Sequence, residues 1–253
     1  VLAAARLGLE TGFIGAVGDD AAGEAGLATL RAAGVDLRGV RTRPGVESRQ
    51  ALVLVEVVGG ERTVLAHRSP DLVLDAGDID PVMVTSSRSL LVDAEHPAAA
   101  QRAAAIARRA GIPVVCDVDR VEPDTLALVR EVDFPIVSEG FAEQFSGNTS
   151  PEEALRGLCA PGVRMAVVTL GERGAIARVD GRTVRCPARR VTALDTTGAG
   201  DVFRGAFVWE LLRGGSAETV LRAACAAAAL ACRELGAQSA LPTGAELEGF
   251  LST

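Results

Sequence analysis

Short runs rich in Val, Ile and Leu alternate along the chain with longer runs in which Ala, Leu and Arg recur. Residues 90–93 form one short apolar run, and residues 98–110 read as a helix closed by Gly111. Residues 113–117 (PVVCD) read as a buried strand, residues 124–130 as a helix, and Ile136 and Val137 as the centre of a brief strand. A helix follows over 151–158. Ser150 stands at its N-cap with Glu153 three residues on, the pattern of a capping box. Residues 165–170 form another buried strand. This alternation predicts an α/β fold with a mostly parallel central sheet and helices on both faces. Ligands of such sheets bind beyond the carboxyl ends of the strands.

One stretch breaks the alternation. Residues 50–58 (QALVLVEVV), Gly59-Gly60 and residues 62–67 predict a β-hairpin with Arg49, Arg62 and Arg68 near its ends. Two adjacent strands inserted in an α/β pattern predict a small sheet projecting from the main body as a lid. The chain then divides into an α/β domain over 1–42 and 68–253 and a lid over 43–67. A second hairpin, 175–179 and 183–186 about Asp180-Gly181, reads as structural.

Composition narrows the chemistry. A length of 253 residues fits one large α/β domain with a small lid. A net charge of −7 argues against nucleic acid as the main partner, because phosphate contacts need clustered cations. No apolar run has the length of a membrane span; the Ala-rich run over 223–231, flanked by Arg222 and Arg233, reads as a packed helix. The five cysteines form no C-x-x-C pair, and with two histidines they leave no zinc ligand set. They read as reduced core residues of a cytoplasmic protein. All 26 basic residues are arginine. That removes a P-loop lysine, a pyridoxal-phosphate lysine and a Schiff-base lysine together. Tyrosine is absent as well. Any phosphate handled here must meet arginine, backbone N–H groups or a metal.

The strongest local feature is Asp195-Thr196-Thr197-Gly198-Ala199-Gly200-Asp201, followed by an apolar run over 202–212 that stops at Arg213-Gly214-Gly215. The glycine segment therefore opens a helix. The N–H groups of Gly198, Ala199 and Gly200 are expected to be unpaired there and to point outward, and with the helix dipole they make an anion site. Asp201 lies beside it in the first turn, where a carboxylate can accept a proton from an attacking hydroxyl. Two readings compete on this local chemistry. The turn is either a phosphate site or a tight connection with Asp201 as a helix stabiliser. A dinucleotide fingerprint would need glycine at position 203, where Phe203 stands.

The segment from Asp195 to Asp201, with Gly205 and Ala206 behind it, resembles the second signature of the ribokinase-like (PfkB) carbohydrate kinases. Arg6-Leu7-Gly8 and Gly15-Ala16-Val17-Gly18-Asp19-Asp20 resemble the family's early segment, as do Gly34-Val35-Asp36 and the Gly60-Glu61-Arg62 turn. Val168-Thr169-Leu170-Gly171 with Gly174 resembles its nucleotide-side loop, and Leu241-Pro242-Thr243 its C-terminal close. The resemblance covers essentially the whole chain. It implies a three-layer αβα fold with a β-sheet lid that often supports a homodimer. It implies ATP with Mg2+, often a stimulating K+, and phosphoryl transfer to a hydroxyl of a small sugar. By position, Asp201 is the base, and Gly198, Ala199 and Gly200 form the anion hole. Thr169, Gly171 and Gly174, with Ser138 and Cys225, line the nucleotide. Asp195 and Thr197, with the carbonyls of Ala231 and Gly236, hold the monovalent cation.

The resemblance also marks departures. The family's first signature, a glycine pair and an asparagine that bind sugar, would fall ahead of residue 1. The first strand, two lid strands and most sugar contacts are therefore expected outside this sequence. Ser138-Glu139-Gly140-Phe141 stands where the family frequently has Asn-x-x-Glu, leaving Glu139 or Glu143 as substitutes near magnesium. Asp117 and Asp119 lie at the end of a central strand, and Asp117 is placed to face magnesium or substrate. His96 reads as a surface-loop residue. Arg204 is either a phosphate contact or a solvated helix residue. Two other function classes remain: a ribokinase-like protein that binds sugar or nucleotide without turnover, and a dinucleotide-dependent oxidoreductase, which rests on the α/β pattern alone.

Overall fold

A computed structural model of the chain describes residues 1–55 and 62–252. Strands β1 (Gly12–Gly18) and β2 (Asp36–Arg43) pair in parallel, and β3 (Gln50–Val55) and β4 (Arg62–His67) pair antiparallel as a separate two-stranded sheet. The central sheet follows with β5 (Leu90–Asp93), β6 (Val114–Val118), β7 (Phe134–Ser138), β8 (Met165–Thr169), β9 (Ala175–Val179) and β10 (Arg182–Cys186). Its order is β10-β9-β8-β7-β6-β5; β5 to β8 are parallel, and β9 and β10 close the far edge antiparallel. The helices are α1 (Leu2–Arg6), α2 (Ala21–Ala32), α3 (Pro81–Thr85), α4 (Pro97–Arg109), α5 (Pro123–Arg130), α6 (Glu139–Ser146), α7 (Pro151–Leu158), α8 (Ala199–Leu211), α9 (Ala217–Ala231) and α10 (Gly244–Leu251).

Strands buried on both faces explain the continuous apolar runs. Side chains alternate across a strand. Val114, Cys116 and Val118 of β6 therefore enter a core built with α4 to α7, while Val115 enters a second core with Phe203 and Phe207 of α8 and Leu221 of α9. Phe207 is fully buried and meets Phe134 of β7 edge to face, with ring centroids 5.7 Å apart. A third cluster docks α1 and α10 on α8 and α9 through Ala3, Leu7, Trp209 and Leu247. Helices thus cover both faces of the sheet, as the alternation predicts. The Ala-rich run lies in α9, and its small side chains let it pack closely on α8.

One expectation needs correction. Ser150 occupies the N-cap of α7, but no capping box forms. Its hydroxyl pairs with the Glu152 carboxylate at 3.0 Å, while Glu153 accepts a bond from Asn148 Nδ2 at 2.8 Å. The expected strand over 50–58 is described to Val55; residues 56–61, including the Gly59-Gly60 turn, lie outside the described residues. The second hairpin forms as expected. Asp180 and Gly181 sit at φ 48° and 75°, the pair of positive values that a tight hairpin turn matching strand twist requires.

The first hairpin is anchored near the carboxyl edge of the sheet. Arg49 and Arg68, just outside β3 and β4, both reach Glu95 beyond β5, at 2.9 and 3.0 Å. The approach to the hairpin is fixed by Asp20, the N-cap of α2. Its carboxylate accepts from Gly23 N, Ser48 N and Ser48 Oγ, and the Ser48 bonds hold it below the usual carboxylate range. Gly18 lies under the same loop; a Cβ there would stand 1.9 Å from the Val46 carbonyl oxygen.

Candidate active site

The residues from Asp195 to Gly200 form the turn that opens α8. Gly198 is its N-cap in the left-handed region, φ 79°, and a Cβ there would lie 2.8 Å from the Ala237 Cβ, so conformation and space both require glycine. Asp195 is buried. Its carboxylate accepts from Thr197 N at 2.8 Å and from Gly236 N at 2.9 Å. Leu194 N donates to the Cys232 carbonyl at 2.8 Å, directly after Ala231. Four positions expected to hold a monovalent cation are thereby drawn to one place: Asp195, Thr197, Gly236 and the end of α9 at Ala231. Thr197 Oγ1 is buried there and has no hydrogen-bond partner among the described residues.

No side chain among the described residues caps α8. The Ala199 N–H turns back to the Thr196 carbonyl at 3.2 Å, which corrects the expectation that it points outward. Asp201 lies exposed in the first turn. The same end of the sheet carries the rest of the predicted set. Thr169 ends β8, and its hydroxyl donates to the Val137 carbonyl at 3.3 Å. Gly171 and Gly174 take φ 57° and 93° in the loop from β8 to β9. A Cβ on Gly174 would fall 2.1 Å from the Cys186 carbonyl oxygen, so this loop is pressed against the end of β10. Cys225 of α9 is buried beside it, and its thiol donates to the same Cys186 oxygen at 3.9 Å.

Ser138 serves as the N-cap of α6, its hydroxyl accepting from Phe141 N at 3.2 Å, and Phe141 is fully buried in the core. The Asn-x-x-Glu positions of the family have thus become a cap and a core residue. Glu139, one of two carboxylates expected near magnesium, pairs with Arg173 of the loop from β8 to β9. His96 is not a plain surface residue: its Nδ1 accepts from Leu74 N at 3.3 Å at the start of α4.

Arg204 is the largest surprise. It is neither solvated nor open to the surface, being 5% exposed. Its Nη2 lies 2.5 Å from Asp117 Oδ1 at the end of β6 and 3.8 Å from Asp119 Oδ1. The first contact is close but poorly aligned, because Asp117 Oδ1 makes no well-directed hydrogen bond. Burial pushes the Asp117 carboxyl up to about 7 against the pull of Arg204, and Asp119, Asp201 and Asp93 push it the same way. Asp117 is therefore turned to an internal cation. The one signal in the sequence was an arginine set inside an apolar helical run.

Cavities of about 950 and 560 Å3 lie elsewhere. The larger is lined by Phe134, Met165, Asp180 and Leu211, at the amino ends of β7 and β8, and the smaller by Val191, Leu194 and Phe250. The chemistry-bearing residues instead gather at the carboxyl ends of β6, β7 and β8. There, an exposed carboxylate follows a glycine turn at a helix start.

The sequence model of the pfkB family of carbohydrate kinases matches residues 1–244. The chain belongs to that family. It is 30% identical over 261 residues to ribokinase of Haemophilus influenzae, spanning 99% of this chain and 84% of that one. It is 29% identical over 274 residues to 5-dehydro-2-deoxygluconokinase of Shouchella clausii, spanning 99% and 83%. A solved ribokinase-like protein from Agrobacterium tumefaciens superposes with a TM-score of 0.92 at 28% identity, covering 99% of this chain and 83% of that one. The fold is ribokinase-like, and the family is one of sugar-phosphorylating enzymes. Among the described residues no helix is long and apolar enough to cross a membrane.

Proposed function

We propose that this carbohydrate kinase transfers the γ-phosphoryl group of ATP to a hydroxyl of a small sugar with Asp201 as the base and the Gly198–Gly200 turn as the anion hole. The observation that carries the reading is the exposed Asp201 carboxylate in the first turn of α8, three residues after the N-cap Gly198, which has no capping side chain. The substrate hydroxyl oxygen attacks the γ-phosphorus, its proton passes to Asp201, and the bond to the β-phosphate oxygen breaks to release ADP. Backbone N–H groups and the dipole at the start of α8 favour the charge that gathers on the transferring group. Thr169, Gly171, Gly174, Ser138 and Cys225 form the nucleotide side.

Among the described residues no group of three or more His, Cys, Asp or Glu side chains stands where it could hold a metal ion. Mg2+ commonly takes only one or two protein carboxylates and would enter with the nucleotide phosphates, whose charge it would neutralise. The potassium reading fits better. Asp195, the buried Thr197 hydroxyl and the carbonyls of Ala231 and Gly236 would hold K+, which would add positive charge beside the anion hole. Residues 43–67 act as the lid. Leu52, Leu54, Val64 and Leu65 are each more than half exposed on its two strands, which supports a homodimer that covers them. The five free thiols fit a cytoplasmic setting.

The test is a panel of sugars and nucleosides, assayed for ADP release and phosphorylated product with ATP and Mg2+. One sugar turned over efficiently is the expected result. Tight sugar or nucleotide binding with no product across the panel would favour a binding protein without turnover. Saturable NAD binding with hydride transfer would favour an oxidoreductase.

A further inference from the structure

The guanidinium of Arg204 is buried under the first turn of its own helix. Side chains on a helix tilt toward its amino end. Arg204 follows Gly200 by one turn, and its Nη1 lies 2.7 Å from the point where a Cβ on Gly200 would stand. The guanidinium therefore lies close against the turn at position 200. Arg204 Nη2 reaches Asp117 at 2.5 Å and, weakly, the Ile136 carbonyl at 3.5 Å. Its Nε is buried with no hydrogen-bond partner among the described residues.

This arrangement is a poor stabilising device. A cation at a helix amino end opposes the dipole. A buried ion pair is often no better than apolar residues of the same volume, and an unpartnered buried donor adds a cost. An anion arriving at the turn above changes that balance. The chain has no lysine to offer such an anion.

We infer that Arg204 is a positioning residue that supplies fixed positive charge behind the anion hole, held beneath Gly200 by its contact with Asp117. It touches neither substrate nor metal; it acts through the backbone of the turn. The inference rests on the phosphotransfer reading and adds to it a side-chain charge outside the backbone anion hole.

Three variants test it: Arg204→Met, Arg204→Lys and the double variant Asp117→Asn/Arg204→Met. Each is followed by thermal melting, by kcat on a sugar that the wild type phosphorylates, and by calorimetric titration with ADP. Arg204→Met should lower kcat and weaken ADP binding by about 10- to 100-fold, while Arg204→Lys, which keeps the charge, should lose much less. The double variant removes both charges and should regain the melting temperature lost by Arg204→Met. Its kcat and ADP affinity should nevertheless remain low. A double variant with near-normal turnover and ADP affinity would overturn the inference, since the pair would then only tie β6 to α8. Equal losses in the Lys and Met variants would overturn it too, and they decide the matter if the double variant fails to fold. Should the wild type phosphorylate no sugar, the phosphotransfer reading fails, while the ADP titrations still report whether Arg204 supplies charge.

Discussion

Replacing Gly174 with alanine tests how tightly the loop from β8 to β9 is built. At φ 93° an L-residue is strained, at a cost of roughly 1–3 kcal/mol. The new methyl would also lie 2.1 Å from the Cys186 oxygen, 2.5 Å from Ala188 N and 2.7 Å from the Pro187 carbonyl carbon. All three obstacles are backbone, so no side-chain rotation relieves them, and overpacking of this kind costs roughly a further 1–3 kcal/mol. The sum is about 2–6 kcal/mol, or a melting temperature lowered by roughly 5–20 °C for a chain of this size. Gly171 in the same loop is the control. It also has positive φ, 57°, but a Cβ there meets nothing within 4 Å. Gly171→Ala should cost only the backbone part, about 1–2 kcal/mol. Scanning calorimetry on both variants gives the difference, and ATP titration shows whether the loop has moved, with weaker binding expected for Gly174→Ala. Equal melting temperatures for the two variants would refute the claim that β10 presses on this loop.

Asp195→Asn replaces one of two carboxylate acceptors with an NH2 group facing a backbone N–H, so it should cost about 1–3 kcal/mol and flatten the potassium dependence of turnover, read from melts and a KCl titration. Leu52→Ser with Leu65→Ser should convert a dimer to monomers in sedimentation velocity while leaving the fold intact, because these paired side chains face outward. Asp117 binds a proton in the folded state up to about pH 7 that the unfolded chain releases near its ordinary value of 3.8. Its contribution to stability therefore falls as pH rises between those values and is level above them, so the wild type should lose stability relative to Asp117→Asn from pH 5 to pH 7 in denaturant melts.

The order of the central elements was legible because β6 to β8 are buried on both faces and leave continuous apolar runs. The region before residue 50 was not. In β1, GFIGAVG carries glycines that blur any alternation, and in β2, DLRGVRTR is mostly polar and half exposed. Their pairing is a long-range fact that no local pattern encodes. The glycine turn and Asp201 stood out because the helix start needs small residues whatever binds there. Ser138 and Phe141 were harder, since a hydroxyl at a strand end serves a cap as readily as a ligand. Arg204 was the least legible: a charge is read as solvated by default, and only the fold brings Asp117 to meet it.

In the proposed mechanism Asp201 accepts the proton of the attacking hydroxyl. The most direct measurement is the turnover of Asp201→Asn beside the wild type, on a sugar the wild type phosphorylates, with a thermal melt and an ATP titration on the same samples. The expected result is a folded protein with ATP affinity close to normal and kcat lower by roughly two to four orders of magnitude. A folded Asp201→Asn protein that turns over at nearly the wild-type rate would contradict it.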